Sequence, residues 1–206
     1  HIWVVTGPAG CGKTTVGQAL ANHLGVPYVE GDDHHPPENV KKMNSGIPLT
    51  DADRWDWLIA LRDHAINMLA QPPPTNPSSS ADTTLLPPPA ANSGSPPKAV
   101  VVTCSALKLK YRDEFRVAAH PIHSQGLNIS VHFIYLSISQ QESLNRVAAR
   151  KGHYMKSDMV KSQFESLQSP SRKEKAEDVI EVDVERTPDA VLKDVVTRVE
   201  AHLDRE

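Results

Sequence analysis

IWVVTGPAGCGKT, residues 2–14, joins a run of apolar residues to the pattern Gly-x-x-x-x-Gly-Lys-Thr. The apolar run predicts a buried strand, and a helix is expected to follow from Lys13 to about Leu24. In that setting, glycines let backbone N–H groups point at a phosphate bound at the N-terminus of the helix. The side chain of Lys13 would reach the β- and γ-phosphates, and the hydroxyl of Thr14 would bind Mg²⁺. The stretch therefore predicts a phosphate loop that binds a nucleotide. The residues expected to contact the nucleotide are Gly7, Pro8, Ala9, Gly10, Cys11, Gly12, Lys13, Thr14 and Thr15.

The rest of the chain alternates between strand and helix patterns. Further strands are expected at 27–30, 99–103, 129–136 and 178–184, and further helices at 38–44, 51–70, from Ser105, at 139–151 and at 187–203. Thr50, Ser139 and Thr187 are the residues expected to cap three of these helices. Such alternation is typical of an α/β fold with a parallel sheet, here of about five strands in a single domain spanning 1–206.

One segment departs from this pattern. Residues 72–97 contain nine of the 17 prolines, with Ser, Thr, Ala and Asn between them. Such a composition buries too little apolar surface to offset the entropy of ordering, so we expect a disordered surface insertion. A proline-rich segment that binds a partner would have a similar composition.

Charge and cysteine content narrow the class of protein. A net charge of −3 and a pI near 6.4 provide no basic surface for nucleic acid or membranes. No apolar run approaches the roughly 18 residues of a membrane span. Cys11 and Cys104 lack a C-x-x-C partner, which favours a reducing compartment such as the cytoplasm. The chain begins with His1, already inside a strand pattern, so we expect further residues before it in the natural protein.

Acidic residues follow the second expected strand, in the run Glu30-Gly31-Asp32-Asp33. Ligands of open parallel sheets bind beyond the carboxyl ends of the strands, so these side chains would point into a cleft. Asp32 would accept the proton of an attacking hydroxyl, while Glu30 or Asp33 would hold Mg²⁺ through water. Acidic residues are also common in ordinary turns. The chain has no Asn-Lys-x-Asp run for guanine and is short for a motor-type ATPase, which leaves a small-molecule kinase.

Three further stretches, read with the phosphate loop, resemble the gluconokinases, relatives of the shikimate and adenylate kinases. They are GDDHHPPENVKKMNSGIPLTDADRWDWL at 31–58, CSALKLKYRDEFR at 104–116 and RVAARKGHYMKSDMVKSQFESLQSP at 146–170. The resemblance implies a P-loop kinase fold with strand order 2-3-1-4-5, a mobile lid at 150–170 and a possible homodimer. It implies ATP and Mg²⁺ as cofactors and D-gluconate as the acceptor, phosphorylated at its C6 hydroxyl to give 6-phospho-D-gluconate for the pentose phosphate pathway. The chain departs from the family in the insertion, in Cys11 and in Glu30, where relatives often have Asp.

Cations in these stretches would hold the substrate carboxylate. Lys108 and Arg112 lie four residues apart, so on one helix they share a face near its N-terminus, where an anion is favoured. Arg54 would complete the clamp, since arginine pairs with a carboxylate through two hydrogen bonds. The same residues are compatible with a solvated basic surface. The resemblance adds His35, Ser105 and His153 as further substrate-binding positions.

Arg146 and Arg150 are also four residues apart and lead into the expected lid. They would meet the γ-phosphate as the lid closes and stabilise the charge of the transition state. An ordinary surface pair on a helix is the alternative. The catalytic residues expected from the sequence are thus Lys13, Asp32, Arg146 and Arg150. Two other functions stay open at this point, namely a kinase of the same fold for another small molecule such as shikimate, and a nucleotide-binding scaffold protein.

Overall fold

The structure, a computed structural model, describes residues 1–70, 98–124, 126–149 and 157–205. Its centre is a sheet of five parallel strands in the order β2-β3-β1-β4-β5, which confirms the expected strand order. The strands are β1 Ile2–Thr6, β2 Tyr28–Glu30, β3 Val100–Thr103, β4 Val131–Ser137 and β5 Val179–Asp183.

Helices cover both faces of the sheet, as expected for this class. They are α1 Lys13–Leu24, α2 Pro37–Asn44, α3 Asp51–Ala70, α4 Leu109–Arg116, α5 Gln140–Ala149, α6 Ser157–Ser166, α7 Arg172–Glu177 and α8 Pro188–Leu203, with 3-10 turns at Gly31–His34 and Val117–Ala119. No helix in the described part of the chain is long and apolar enough to cross a membrane.

The two faces of the sheet carry separate hydrophobic cores. Ile2 and Val4 of β1 join the core formed with α3 and α4, whereas Trp3 and Val5 join the core formed with α1 and α8. Every residue of β1 is buried. A strand covered on both faces is apolar without interruption, which is why IWVV shows no alternation of polar and apolar residues.

Several helix starts follow the expected chemistry. Thr50 and Asp53 cap each other, since the Asp53 N–H donates to the Thr50 hydroxyl and the Thr50 N–H donates to the Asp53 carboxylate. Thr187 accepts the N–H of Ala190 at the start of α8. Ser139 accepts the N–H of Glu142, as expected.

Two helix assignments from the sequence were wrong. The helix after β3 begins at Leu109 and not at Ser105, which lies in the preceding loop. Helix α7 was missed, although Ser171 and Glu174 form a capping box at its start. The spacing Ser-x-x-Glu was visible in the sequence, but the six-residue helix is too short to show an apolar period.

All five strands point their carboxyl ends at the same edge of the sheet, where the phosphate loop and the turns after β2 and β3 meet. Gly31 opens the turn after β2, and a Cβ atom there would lie 2.0 Å from the carbonyl oxygen of Thr103. Only glycine therefore lets the chain turn at this point and carry Asp32 to the edge. The insertion at 72–97 and the first part of the expected lid, residues 150–156, lie outside the described residues.

Candidate active site

The phosphate loop connects β1 to α1. Gly7, Gly10 and Gly12 all have positive φ angles, of 143°, 75° and 95°. Side chains other than glycine rarely adopt such angles, so the glycines allow the loop to curl around a central space. The ammonium group of Lys13 donates to the carbonyl oxygens of Gly7 and Pro8, each at 3.1 Å. Lys13 thus spans the mouth of the loop, where it would meet phosphate oxygens.

Glu30 is held beside the phosphate loop by three hydroxyl groups. Thr14 donates to Glu30 Oε2 at 2.7 Å, Tyr28 donates to the same oxygen at 2.6 Å, and Thr103 donates to Oε1. Burial, and then the bond to Glu30, raise the pKa of Tyr28 well above its usual value. A hydroxyl and a carboxylate side by side are the hard oxygen donors that Mg²⁺ prefers, so the residues present fit such an ion.

Besides Ala9, Gly10 and Gly12 of the phosphate loop, a cavity at this edge brings six of the predicted site residues together. They are Lys13, Thr14, Asp32, His35, Arg54 and Ser105. The phosphate loop, the turn after β2, the start of α3 and the loop after β3 each contribute at least one of them. A donor phosphate site and a candidate proton acceptor therefore share one cleft.

Asp32 lies in the turn after β2 and lines this cavity. Its pKa is raised, chiefly because the surrounding protein desolvates the carboxylate, and further because Glu30 and Asp33 are negative; Lys13 and Arg54 act in the opposite direction. A carboxylate with a raised pKa is a better proton acceptor. The side chain of Asp32 is still 61% exposed, so what separates it from the alternative base, Asp33, is its position, because Asp33 does not line the cavity.

His35 lies next to Asp32 and is packed against an aromatic wall. Its ring stacks on Trp57 with a centroid distance of 3.9 Å, and its side chain is 3% exposed. Burial, with a smaller contribution from Arg54, lowers the pKa of His35 to about 4, so the ring is neutral at pH 7. Its Nδ1 atom is buried and has no hydrogen-bond partner among the described residues. A neutral imidazole has one donor and one acceptor nitrogen, and His35 lines the cavity, so its ring can bind a hydroxyl group of a ligand.

A second cavity adjoins the first, and both are lined by Arg54 and Gln163. Lys108 also lines it and donates to Asp51 at 2.7 Å. Lys110 and Tyr111 donate to Asp51 too, and these hydrogen bonds hold the pKa of Asp51 well below its usual range. Among the described residues, none forms a hydrogen bond or ion pair with Arg54. Arg54 is therefore the available cation where the two cavities meet.

Arg112 does not join this cluster, contrary to the expectation from its spacing to Lys108. Its side chain is 2% exposed and makes two hydrogen bonds to Glu174, at 2.7 and 3.1 Å. It also donates to the carbonyl oxygens of Ala106 and Gln168. Lys108 precedes α4 and has extended backbone angles of −106° and 150°. The two side chains therefore do not follow the helical spacing on which the prediction depended.

Arg146 lies on α5 and is engaged by its own surroundings. Its Nε donates to Glu142 at 2.8 Å, one helical turn away, and its Nη2 donates to the carbonyl oxygen of Val184 at 2.7 Å. These contacts match the alternative of a helix-surface pair, while a role at the γ-phosphate stays a prediction. The remaining predicted residues on this side, Arg150 and His153, lie outside the described residues.

One contact of the site was not anticipated. Gln163 of α6 accepts the backbone N–H of Ala9 in the phosphate loop at 2.7 Å, and it lines both cavities. A glutamine on an amphipathic helix has no spacing that marks it as functional. Its position becomes evident only once α6 is placed against the loop.

The similarity of this chain to known proteins extends over nearly its whole length. A family model described as shikimate kinase matches residues 9–48. A protein of Schizosaccharomyces pombe named probable gluconokinase is 40% identical, over 90% of this chain and 80% of its own length. The thermoresistant gluconokinase of Escherichia coli is 35% identical, over 95% and 91%. A crystal structure of a gluconokinase from Sinorhizobium meliloti matches with a TM-score of 0.71 at 32% identity, over 98% of this chain and 94% of that chain.

Proposed function

The chain belongs to the gluconokinase family, and we propose that it transfers the γ-phosphoryl group of ATP to the C6 hydroxyl of D-gluconate. The products are 6-phospho-D-gluconate and ADP. The observation that carries this proposal is the shared cavity, which brings Lys13 and Thr14 of the phosphate loop together with Asp32. In the cell we expect this reaction in the cytoplasm, where it would supply the pentose phosphate pathway, carried out by a homodimer.

The donor half of the reaction belongs to the phosphate loop. The loop N–H groups and the N-terminus of α1 would hold the phosphates of ATP, and Lys13 would exchange its two carbonyl partners for phosphate oxygens. Thr14, with Glu30 beside it, would hold Mg²⁺. The ion, when bound, neutralises charge on the phosphates. The carboxylate of Glu30 accepts a hydrogen bond from the Thr14 hydroxyl, so the lone pairs of the Thr14 oxygen point away from Glu30.

The acceptor half belongs to Asp32 and the residues around it. Asp32 would accept the proton of the C6 hydroxyl as its oxygen attacks phosphorus, and its raised pKa favours that transfer. His35 also lines the cavity, where its neutral ring would bind a hydroxyl of the substrate chain. Arg54 would bind the carboxylate of gluconate, assisted by Lys108 in the adjoining cavity. Arg112 has no part in this clamp, because Glu174 already occupies its guanidinium group.

The test is an assay of ADP release with gluconate, glucose and shikimate as acceptors. Glucose has the same primary hydroxyl but no carboxylate, and it would leave Arg54 unpaired, whereas Lys108 keeps its bond to Asp51. Sites built around such polar partners reject analogues that lack them by about 10⁴-fold in kcat/KM. We therefore expect turnover with gluconate and almost none with glucose. Comparable turnover of glucose would refute the cationic clamp, and turnover of shikimate alone would refute the proposed acceptor.

A further inference from the structure

The contact between Gln163 and Ala9 joins the phosphate loop to the wall of the acceptor cavity. Within the described residues, it is the one hydrogen bond between the loop and α6. Gln163 is partly buried and lies where the two cavities meet. A change at the phosphate loop therefore has a direct polar connection to the place where the acceptor would bind.

Helix α6 is also fastened to the loop by apolar packing. Val160 is fully buried in a small cluster with Ala9 and Val147, and Phe164 packs against that cluster. Gln163 lies four residues after Met159, so both side chains share a helix face, and both line the two cavities. These apolar contacts fix the position of α6. The orientation of the Gln163 amide then depends on its own hydrogen bonds.

The amide group of Gln163 is planar, with an acceptor oxygen at one end and a donor nitrogen at the other. The N–H of Ala9 can only donate, so it identifies the atom that faces the loop as the oxygen, Oε1. The nitrogen Nε2 makes no hydrogen bond to any described residue. Because the group is rigid, fixing its oxygen on the loop also fixes the direction of its two N–H donors.

We propose that Gln163 is a positioning residue that couples nucleotide binding to acceptor binding. A nucleotide that orders the phosphate loop holds the Ala9 N–H in place, which orients the amide so that Nε2 donates to an oxygen of the acceptor. Since coupling between two ligands is reciprocal, bound acceptor likewise stabilises the loop for the nucleotide. This inference rests on the proposed function and specifies how its two sites communicate.

The experiment measures gluconate binding by calorimetry, with and without a non-hydrolysable ATP analogue. For the wild-type chain we expect the analogue to tighten gluconate binding by at least about fivefold, within the usual range of coupling between sites. Gln163→Met removes both hydrogen bonds at similar volume, and its coupling factor should fall to within about twofold of one. Gln163→Glu keeps an acceptor for the Ala9 N–H but loses the donor, so it should lose the coupling as well.

Gln168 provides the matched control. Its side-chain oxygen also accepts a backbone N–H, that of Leu109 at 2.9 Å, but it is exposed and lines neither cavity. Gln168→Met should keep the wild-type coupling. Unchanged coupling in both Gln163 variants, with gluconate still bound and turned over, would overturn this inference alone. Weaker gluconate binding by the wild type in the presence of the ATP analogue would also overturn this inference, because the phosphate would then compete with Gln163 for the Ala9 N–H. Failure of the wild type to bind gluconate would overturn the proposed function, and this inference with it.

Discussion

Replacing Arg112 by Met should destabilise the protein and leave gluconate binding in the folded state nearly unchanged. Arg112 and Glu174 form a buried pair, with side chains 2% and 8% exposed. Removing one partner of a buried pair costs about 3–5 kcal/mol when the other is left uncompensated. Arg116 also donates to Glu174, at 3.0 Å, so the lower end of this range is expected for Arg112→Met. The lowered pKa of Glu174 supports a cost of a few kcal/mol. Burial alone would raise its pKa, but hydrogen bonds from Arg112, the Ser171 N–H and Arg116 lower it to about 2. Relative to an ordinary value of 4.5, that corresponds to roughly 3 kcal/mol for the three hydrogen bonds together, net of the cost of burial.

The assay is urea unfolding of the wild type, Arg112→Met and Glu174→Gln, followed by gluconate KM at a temperature where each is folded. We expect the free energy of unfolding to fall by about 3 kcal/mol in both variants, or roughly 10 °C in Tm. The pKa of Glu174 is lower in the folded state, so its contribution is complete above about pH 4.5 and is lost as the pH falls toward 2. Wild-type stability of Arg112→Met combined with a large rise in gluconate KM would refute this reasoning and restore Arg112 to the clamp.

Four further changes are informative, and the first three of them test the site itself. Asp32→Asn should lower kcat by roughly 10²–10⁴-fold with nucleotide binding retained, and near-normal turnover would exclude Asp32 as the base. Arg54→Leu should raise gluconate KM by about tenfold or more, the scale of 1.4 kcal/mol, while ATP KM stays within about twofold; an equal rise in both would show that Arg54 serves the nucleotide. Because the pKa of His35 is about 4, its ring stays neutral between pH 6 and 8. The pH profile of gluconate KM should therefore show no inflection near pH 6.5, and an inflection there that is absent in His35→Gln would contradict this assignment. Replacing 72–97 by a short Gly/Ser link should leave turnover unchanged, and a large loss would show that the segment supports the fold.

The features that the sequence predicted well depend on neighbours along the chain. The phosphate loop is a continuous motif between a strand and a helix, and the caps at Thr50 and Thr187 act within three residues. The strand order came from the family resemblance, because no local pattern specifies which strands pair. Asp32 was predicted from its position after a strand and Arg54 from the expected pairing with a carboxylate, whereas His35 came from the resemblance. The structure then showed the cavity that the three share.

The features that were missed depend on residues far apart in sequence. Glu174, the partner of Arg112, lies 62 residues away, and Ala9 is 154 residues from Gln163. The error at Arg112 also had a local cause, since a helix assumed to start at Ser105 would have aligned it with Lys108. Beginning the helix at Leu109 turns Arg112 into the protein interior. A shift of a few residues in a helix start is thus enough to convert a predicted ligand into a structural ion pair.

The central position of β1 has a consequence for amide hydrogen exchange. This strand is paired on both sides, by β3 and β4, and both of its faces are buried. Its amide protons should therefore exchange only when the whole domain opens, at the slowest rate in the molecule. The phosphate loop starts directly from this strand. Helix α6, in contrast, contacts the phosphate loop through a small apolar cluster and one hydrogen bond. Exchange measured residue by residue should thus separate β1, whose amide protons exchange only on global opening, from α6, whose amide protons should exchange far more often.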